Sequence, residues 1–494
     1  MHLMDTTTPA TTPNTPAPKH RPSWLKRLTL VFVLLLLVVI VSHAIWGWRA
    51  KAAFERRLSE LRNAGEKIDA SAFAAAPAAP EQDAVRDLMA AGRLIDPKDS
   101  QWLSLTRIER ALPLNDVEMN AIETVVRSRQ PALALIESAA RKPGADWGID
   151  PKVPYLLLKT SGLTECRALA NLLSLSALAA HQRAEESVAF RRLHEMLFLS
   201  RAVDRQATIV SHLVAVGISA LAARAAEQIA VDLHLGAAGQ SSTDLQTLIA
   251  DFLDDRDLQE GLAAALRRER LMMSQMVVSI ANGQMAIDRI SGNKPLTFSQ
   301  RLSLYAMKPI LYDDGRFAID HLSGVVHATE KCIDFPSFRA TAPPLPEREM
   351  DQHHLRHLLS SLLLPPQTRL ARNHYCGIAD RRLAAVALAI GAYAARHDGK
   401  RPTSQNELLG VDLLAMPADP FAAAGVKLRY KPSEDRPIVY SVGEDGTDDG
   451  GSEQPGRQYP SKISRQQRWD CLDGVLHLKR QTRVKPADGD PLDE

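Results

Sequence analysis

Thr208–Asp232 reads TIVSHLVAVGISALAARAAEQIAVD, with apolar residues almost throughout and no sustained polar face. A surface helix keeps one polar side, so this stretch predicts a helix buried on most sides. Asp204 stands just ahead of it as a candidate cap. Working outward, the pattern stays helical. Leu163–His181 and a segment from Glu185 to about Ala202 form a long helical pair before it. Earlier still lie Ala84–Ile95, Asn115–Arg129 and a helix opened by Pro131 and stopped by Pro143-Gly144. Beyond the Gly/Ser/Thr stretch Gly236–Thr243 come Leu245–Leu253 and Leu258–Asn282. Gly283–Ala342 is less regular and holds several turn signals. Pro343, Pro344 and Pro346 make a break, and Met350–Leu364 is helical again up to Pro365-Pro366.

The last segment changes character. Asp380–His397 is an amphipathic helix, and Gly399 is placed for a left-handed C-terminal cap. Val426–Tyr430, Pro437–Val442 and Gly474–Leu478 read as short strands. The expected fold is therefore mainly α, with a multi-helix body and a small α+β C-terminal domain of one helix plus a short antiparallel sheet. Composition agrees: aromatics are only 5% while alanine and leucine abound, which favours helices over sandwiches or barrels. A net charge of +2 offers no electrostatic footprint for nucleic acid.

At the N-terminus, Leu28–Trp46 (LTLVFVLLLLVVIVSHAIW) carries no formal charge. Crossing the hydrocarbon core takes about 20 apolar residues, so this run predicts a transmembrane helix whose partner is the lipid bilayer. Trp24 before it and Trp46 and Trp48 at its end suit the two interfaces. A cleaved signal peptide is the rival reading; the run is long for one and lacks a small-x-small cleavage site. Basic residues flank both ends (Lys19, Arg21, Lys26 and Arg27; Arg49, Lys51, Arg56, Arg57 and Arg62), so charge gives no orientation. Met1–Pro22 is a Thr/Pro-rich tail. Arg49–Ala64 continues as a helix with Phe54, Leu58 and Leu61 on one face, read as a stalk, and Phe73–Pro80 (FAAAPAAP) as a linker. The divisions are thus 1–27 cytoplasmic tail, 28–48 anchor, 49–80 stalk and linker, 81–370 helical body, 371–480 α+β domain and 481–494 tail.

Cys166, Cys332, Cys376 and Cys471 form no CxxC pair; two disulfides and four buried thiols are both open. His194-Glu195 begins like a zinc-protease helix, but residue 198 is Phe. No GxSxG elbow, GxxxxGK[ST] loop or GxGxxG turn occurs. Asp351, His353, His354 and His357 form a DxHHxxH cluster in which His353 and His357 share a helical face, a spacing that suits two metal-bound imidazoles. The alternative is a polar helix face. Arg267-Arg268-Glu269-Arg270 reads as a solvated helix face. The acidic loop Glu444–Gly451 (EDGTDDGG) offers carboxylates and flexible backbone to a hard cation, or is simply a solvated turn. It fails as an EF-hand because its twelfth position falls on Gly456.

Tyr393, His397-Asp398-Gly399, Pro402, Glu407-Leu408, Asp419-Pro420-Phe421, Tyr430 and Tyr440-Ser441-Val442-Gly443, followed by the acidic loop, recur in one order and spacing. Over these, about 100 of the residues, the chain resembles the periplasmic domain of type II secretion major pseudopilins. The resemblance implies a calcium site, with Asp445 matching the family aspartate, Asp448 and Asp449 adding oxygens and Asp470 a late ligand. It also implies a body outside the cytoplasmic membrane. The anchor departs from the pseudopilin pattern: it has no prepilin-peptidase site and no glutamate at the fifth helical position, so a pilus subunit is not expected. The whole layout is similar to single-anchor bacterial envelope proteins with an Ala/Leu-rich helical body, a group from which no biochemical function carries over. The expected function is a membrane-anchored, non-enzymatic scaffold or docking module with a calcium-stabilised tail. The alternatives are an accessory component of a type II secretion or pilus-like assembly, with an envelope or secretion-system protein as partner, and an enzyme whose site is built from distant helices.

Overall fold

The structure is a computed structural model that describes residues 23–73, 78–106, 111–149, 162–235, 240–284, 298–345, 350, 352–353, 356–364, 367–456 and 468–480. Residues 1–22 of the expected N-terminal tail, the C-terminal tail, part of the 73–80 linker, and Asp351 and His354 lie outside the described residues, while residues 23–27 of the expected N-terminal tail open the first helix.

Helix α1 (Ser23–Asn63) is followed by α2 (Ala84–Arg93), α3 (Ser100–Thr106), α4 (Asp116–Ser128) and α5 (Gln130–Ala140). The central pair α6 (Leu163–Gln182) and α7 (Glu186–Asp204) leads into α8 (Ile209–Ala230). Then come α9 (Gln240–Leu253), α10 (Arg256–Ala281), α11 (Phe298–Lys331), α12 (Phe335–Thr341), α13 (Leu358–Leu363) and α14 (Gln367–Arg396). Strands β1 (Arg429–Lys431), β2 (Ile438–Ser441) and β3 (Gly474–His477) form one antiparallel sheet in that order. Tyr430 faces Val439, and Tyr440 faces Val475. The chain is thus mainly α with a small sheet, as the sequence reading has it.

Helix α8 is buried on most sides, as its composition demands. Its N-cap is Thr208, in a capping box with Ser211, and not the expected Asp204, which instead turns inward to His212. Helices α8 and α14 form the spine. Leu370, Tyr375 and Ile378 of α14 belong to a core shared with α1, α10 and α11, whereas Leu383–Ile390 belong to a second core with α6, α7, α8 and the sheet. The two glycines of α14 make the close crossing possible. A Cβ on Gly391 would lie 2.3 Å from the Ala230 carbonyl oxygen, and one on Gly377 would lie 2.8 Å from Val216.

Several expectations are corrected. Within Gly283–Ala342, expected to be less regular, Phe298–Lys331 is the single helix α11, 34 residues long. One of its turn signals is a packing feature: a Cβ on Gly315 would overlap Val277 of α10, so this glycine lets the two helices touch. Helix α14 begins at Gln367, well before Asp380, and the expected boundary at 370/371 falls inside it. Within Met350–Leu364, Met350 and Gln352 are helical and α13 covers Leu358–Leu363. Arg268, Glu269 and Arg270 are buried rather than solvated, because α7 and α11 pack over α10. Arg270, 1% exposed, donates to Glu66 at 2.8 Å and to the Ser323 hydroxyl at 3.0 Å. Arg381, near the start of the stretch expected as an amphipathic helix, is fully buried, and its neighbours Asp380 and Arg382 are partly buried. Arg381 donates to the Asp251 and Asp254 carbonyls at the end of α9 and to Asp257 at 2.9 Å, satisfying helix-terminal oxygens.

Helix α1 has two parts. Residues Lys26–Asn63 are long and apolar enough to cross a membrane, and the most apolar portion is wholly exposed. Helix α8 meets the same test of length and composition but is mostly buried. From Ala50 onward α1 does not stand free as a stalk. Ala50, Phe54 and Leu61 are core residues, and Arg57 donates to Asp320 of α11 at 2.5 Å. The 54/58/61 stripe is therefore a buried face.

Candidate functional site

The C-terminal acidic loop leaves β2 at Gly443, where a Cβ would lie 2.1 Å from the Leu472 carbonyl oxygen and φ is +69°. Only glycine fits both demands. The loop then faces the segment 454–456 and the turn 468–472, joined by Leu472 N–H to the Gln454 carbonyl and Gly456 N–H to the Asp470 carbonyl, both 2.8 Å. Between them lies a cavity of about 530 Å³ lined by Arg372, Glu444, Asp445, Asp449, Trp469 and Asp470, among others.

Three of the four sequence-predicted residues, Asp445, Asp449 and Asp470, meet at this cavity. Asp448 does not line it. Its carboxylate accepts from Arg429 Nε at 2.7 Å and from the Tyr440 hydroxyl at 3.1 Å, so it staples the loop to β1 and β2. Arg372 of α14 was not legible as part of the site. Its Nε donates to Glu444 at 2.7 Å, its Nη2 donates to the Trp469 carbonyl, and it lies 3.7 Å from Asp470. The cavity thus carries four carboxylates and one guanidinium, a net negative lining, but among the described residues no three of these carboxylates bring ligand oxygens within 4.8 Å of one another.

Two further aspartates build the loop. Asp473, fully buried, accepts backbone N–H groups from Gly451 and Ser452 at 2.8 Å. Burial pushes its carboxyl above the usual range, against the pull of those donors. Asp419 accepts from the Ser441 hydroxyl at 2.7 Å and from Val442 N–H at 2.9 Å. Its neighbour Phe421 packs between the rings of Phe335 and Trp469, which sets the loop against α12 and α14. The Asp-Pro-Phe triplet therefore positions the site from behind.

The other candidates disperse. His353 is exposed and His357 is buried edge-on against Phe317, 3.8 Å from Asp314. His194 pairs with Asp251 at 2.9 Å. All four cysteines are free thiols, and Cys166 and Cys376 are buried. Burial raises the Cys166 thiol to about 12, which makes it unreactive. A sealed chain joins α7, α8 and α14: His212 Nδ1 donates to Asp204 at 3.0 Å, and His212 Nε2 and His374 Nδ1 share a hydrogen bond of 3.2 Å. Burial holds the His374 imidazole well below its ordinary value, hence neutral. Compared with known proteins, the chain matches no family model, no curated sequence and no solved structure.

Proposed function

We propose that the chain is a single-pass protein of the bacterial inner membrane whose helical body acts outside the cytoplasm as a non-enzymatic scaffold or docking module. The carrying observation is α1 itself, one helix that is exposed and apolar at Leu28–Val41 and part of the body's core from Ala50. At 1.5 Å per residue, Leu28–Trp46 spans about 28 Å, close to the hydrocarbon thickness. No flexible joint separates anchor from body, so the body sits at a fixed attitude to the bilayer. His43 bonds the Ala306 carbonyl at 3.0 Å and Trp46 donates to Asp313 at 3.2 Å. These contacts bring the start of α11 to the membrane surface, where exposed Leu302 and Tyr305 and the indoles of Trp46 and Trp48 suit the interface. In this reading the C-terminal cavity takes calcium through Asp445, Asp449, Asp470 and Glu444, locking the tail onto α14.

Reporters fused after Glu494, one active only outside the cytoplasm and one only inside, test the placement together with carbonate extraction of membranes. Activity outside and retention of the full-length chain in the membrane are expected. Activity inside would remove both the external placement and the calcium supply. Release of a shortened chain would mean that the apolar run is a cleaved signal.

A further inference from the structure

His181 stands in the last turn of α6, α7 begins at Glu186, and α8 runs out just before Asp232 and His234. Their side chains converge at one corner of the body. His181 and Glu186, each 2% exposed, lie with Nδ1 and Oε1 2.8 Å apart. Glu186 Oε1 also accepts the backbone N–H of His234 at 3.0 Å and lies 3.4 Å from its Nδ1. One ligand atom from each of His181, Glu186 and His234 falls within 4.8 Å of the others. On the far side of the His181 ring, Nε2 meets Asp232 at 3.2 Å, and Asp232 is held in turn by Arg480.

We propose that His181, Glu186 and His234 bind one divalent transition-metal ion of the zinc class, with Asp232 as the residue that orients His181. Two imidazoles and a carboxylate are the donors such ions favour, whereas calcium and magnesium prefer an all-oxygen set. Metal–ligand bonds of about 2.0–2.2 Å in a tetrahedron place donor atoms roughly 3.4 Å apart. The Glu186–His234 separation, 3.4 Å, already has that value. The His181–Glu186 separation, 2.8 Å, must open by roughly half an ångström. With the ion on Nδ1, the Nε2–H of His181 donates to Asp232, the carboxylate–histidine–metal arrangement that fixes ring orientation and strengthens the ligand.

A plain ion pair is the competing explanation: an imidazolium at His181 between two carboxylates. It accounts for Glu186 and Asp232 but gives no role to the His234 ring, which turns Nδ1 toward the same oxygen while its side chain stays 58% exposed. That exposure supplies an entry path and leaves a fourth coordination position open to water. The site would clamp the α6–α7 turn to the end of α8, independently of the acidic cavity near α14.

The test uses the full-length chain in detergent, stripped with chelator and titrated with zinc against a chromophoric competitor. One zinc per chain at micromolar affinity or tighter is expected, and cobalt should give the absorption of a tetrahedral N/O site. His234→Ala, at an exposed position that leaves the core intact, should weaken binding at least tenfold. Asp232→Asn should weaken it about 10- to 100-fold. A full-length chain that holds no zinc at this affinity overturns the proposal. So does a His234→Ala variant that binds as tightly as the unaltered chain, since the ion would then sit elsewhere, for example at His353.

Discussion

Arg468, in the turn before β3, donates from Nη1 and Nη2 to Glu227 of α8 at 2.7 and 2.6 Å, across 241 residues of sequence. The same guanidinium reaches Asp380 of α14 at 2.8 Å. The tail is thereby fixed to the two spine helices rather than hanging from them. Burial lifts the Asp380 carboxyl to about 6, although Arg468 opposes this.

Removing Arg468 leaves two carboxylates facing each other without a cation. Breaking a buried pair from one side costs about 3–5 kcal/mol. Arg468→Ala should lower the denaturation midpoint by a corresponding amount. Because Trp469 bonds Asp380 beside it, tryptophan fluorescence and far-ultraviolet circular dichroism should still report one shared transition. An unchanged midpoint would show that the tail contributes nothing to the body.

The loop cavity predicts a calcium effect. Calcium at millimolar concentration should raise the melting temperature of the full-length chain, since an ion that binds only the folded state stabilises it by mass action. The Asp445→Ala, Asp449→Ala pair should abolish the shift, and Asp448→Ala should retain much of it because Asp448 does not line the cavity. Identical melts with calcium and with chelator would eliminate the ion.

Glu269 predicts a pH dependence. Its carboxyl is buried in α10, and burial raises it from 4.5 to about 7. Between those values the folded state binds more protons than the unfolded state, so stability falls as pH rises from 4.5 to 7 and is level above that. The shift corresponds to about 3 kcal/mol. Glu269→Gln should flatten this part of the stability curve; a slope that persists in the variant would assign it to other groups.

The two spine glycines predict an order. Gly391→Ala meets backbone at 2.3 Å, whereas Gly377→Ala meets the Val216 side chain, which can rotate. Overpacking costs about 1–3 kcal/mol, and Gly391→Ala should lie at or above the top of that range and Gly377→Ala at the bottom. Equal thermal shifts in the two variants would contradict the rigid α8–α14 contact.

Local pattern carried much of the architecture. The apolar run at Leu28–Trp46, the helices from Leu163 to Ala230 and the cap at Gly399, with φ of +80°, all follow from composition and spacing over a few turns. Short-range physics sets those features, since helix periodicity and left-handed caps need no distant partner. Gly315 misled because a glycine in isolation signals a turn, while inside a packed helix it admits a neighbour. Arg268 and Arg270 misled for a related reason. A charge reads as solvated until a carboxylate or a row of carbonyls, far away in sequence, arrives to satisfy it. The acidic loop was legible in its aspartates, but not which of them share a cavity, nor that Arg372 stands among them. The convergence of His181, Glu186, Asp232 and His234 was equally silent, because three helix ends must first be brought to one corner. What the sequence determined by itself was the apolar N-terminal run and most of the body's helices, α11 excepted; which charged groups meet was decided only when α8 and α14 closed against each other.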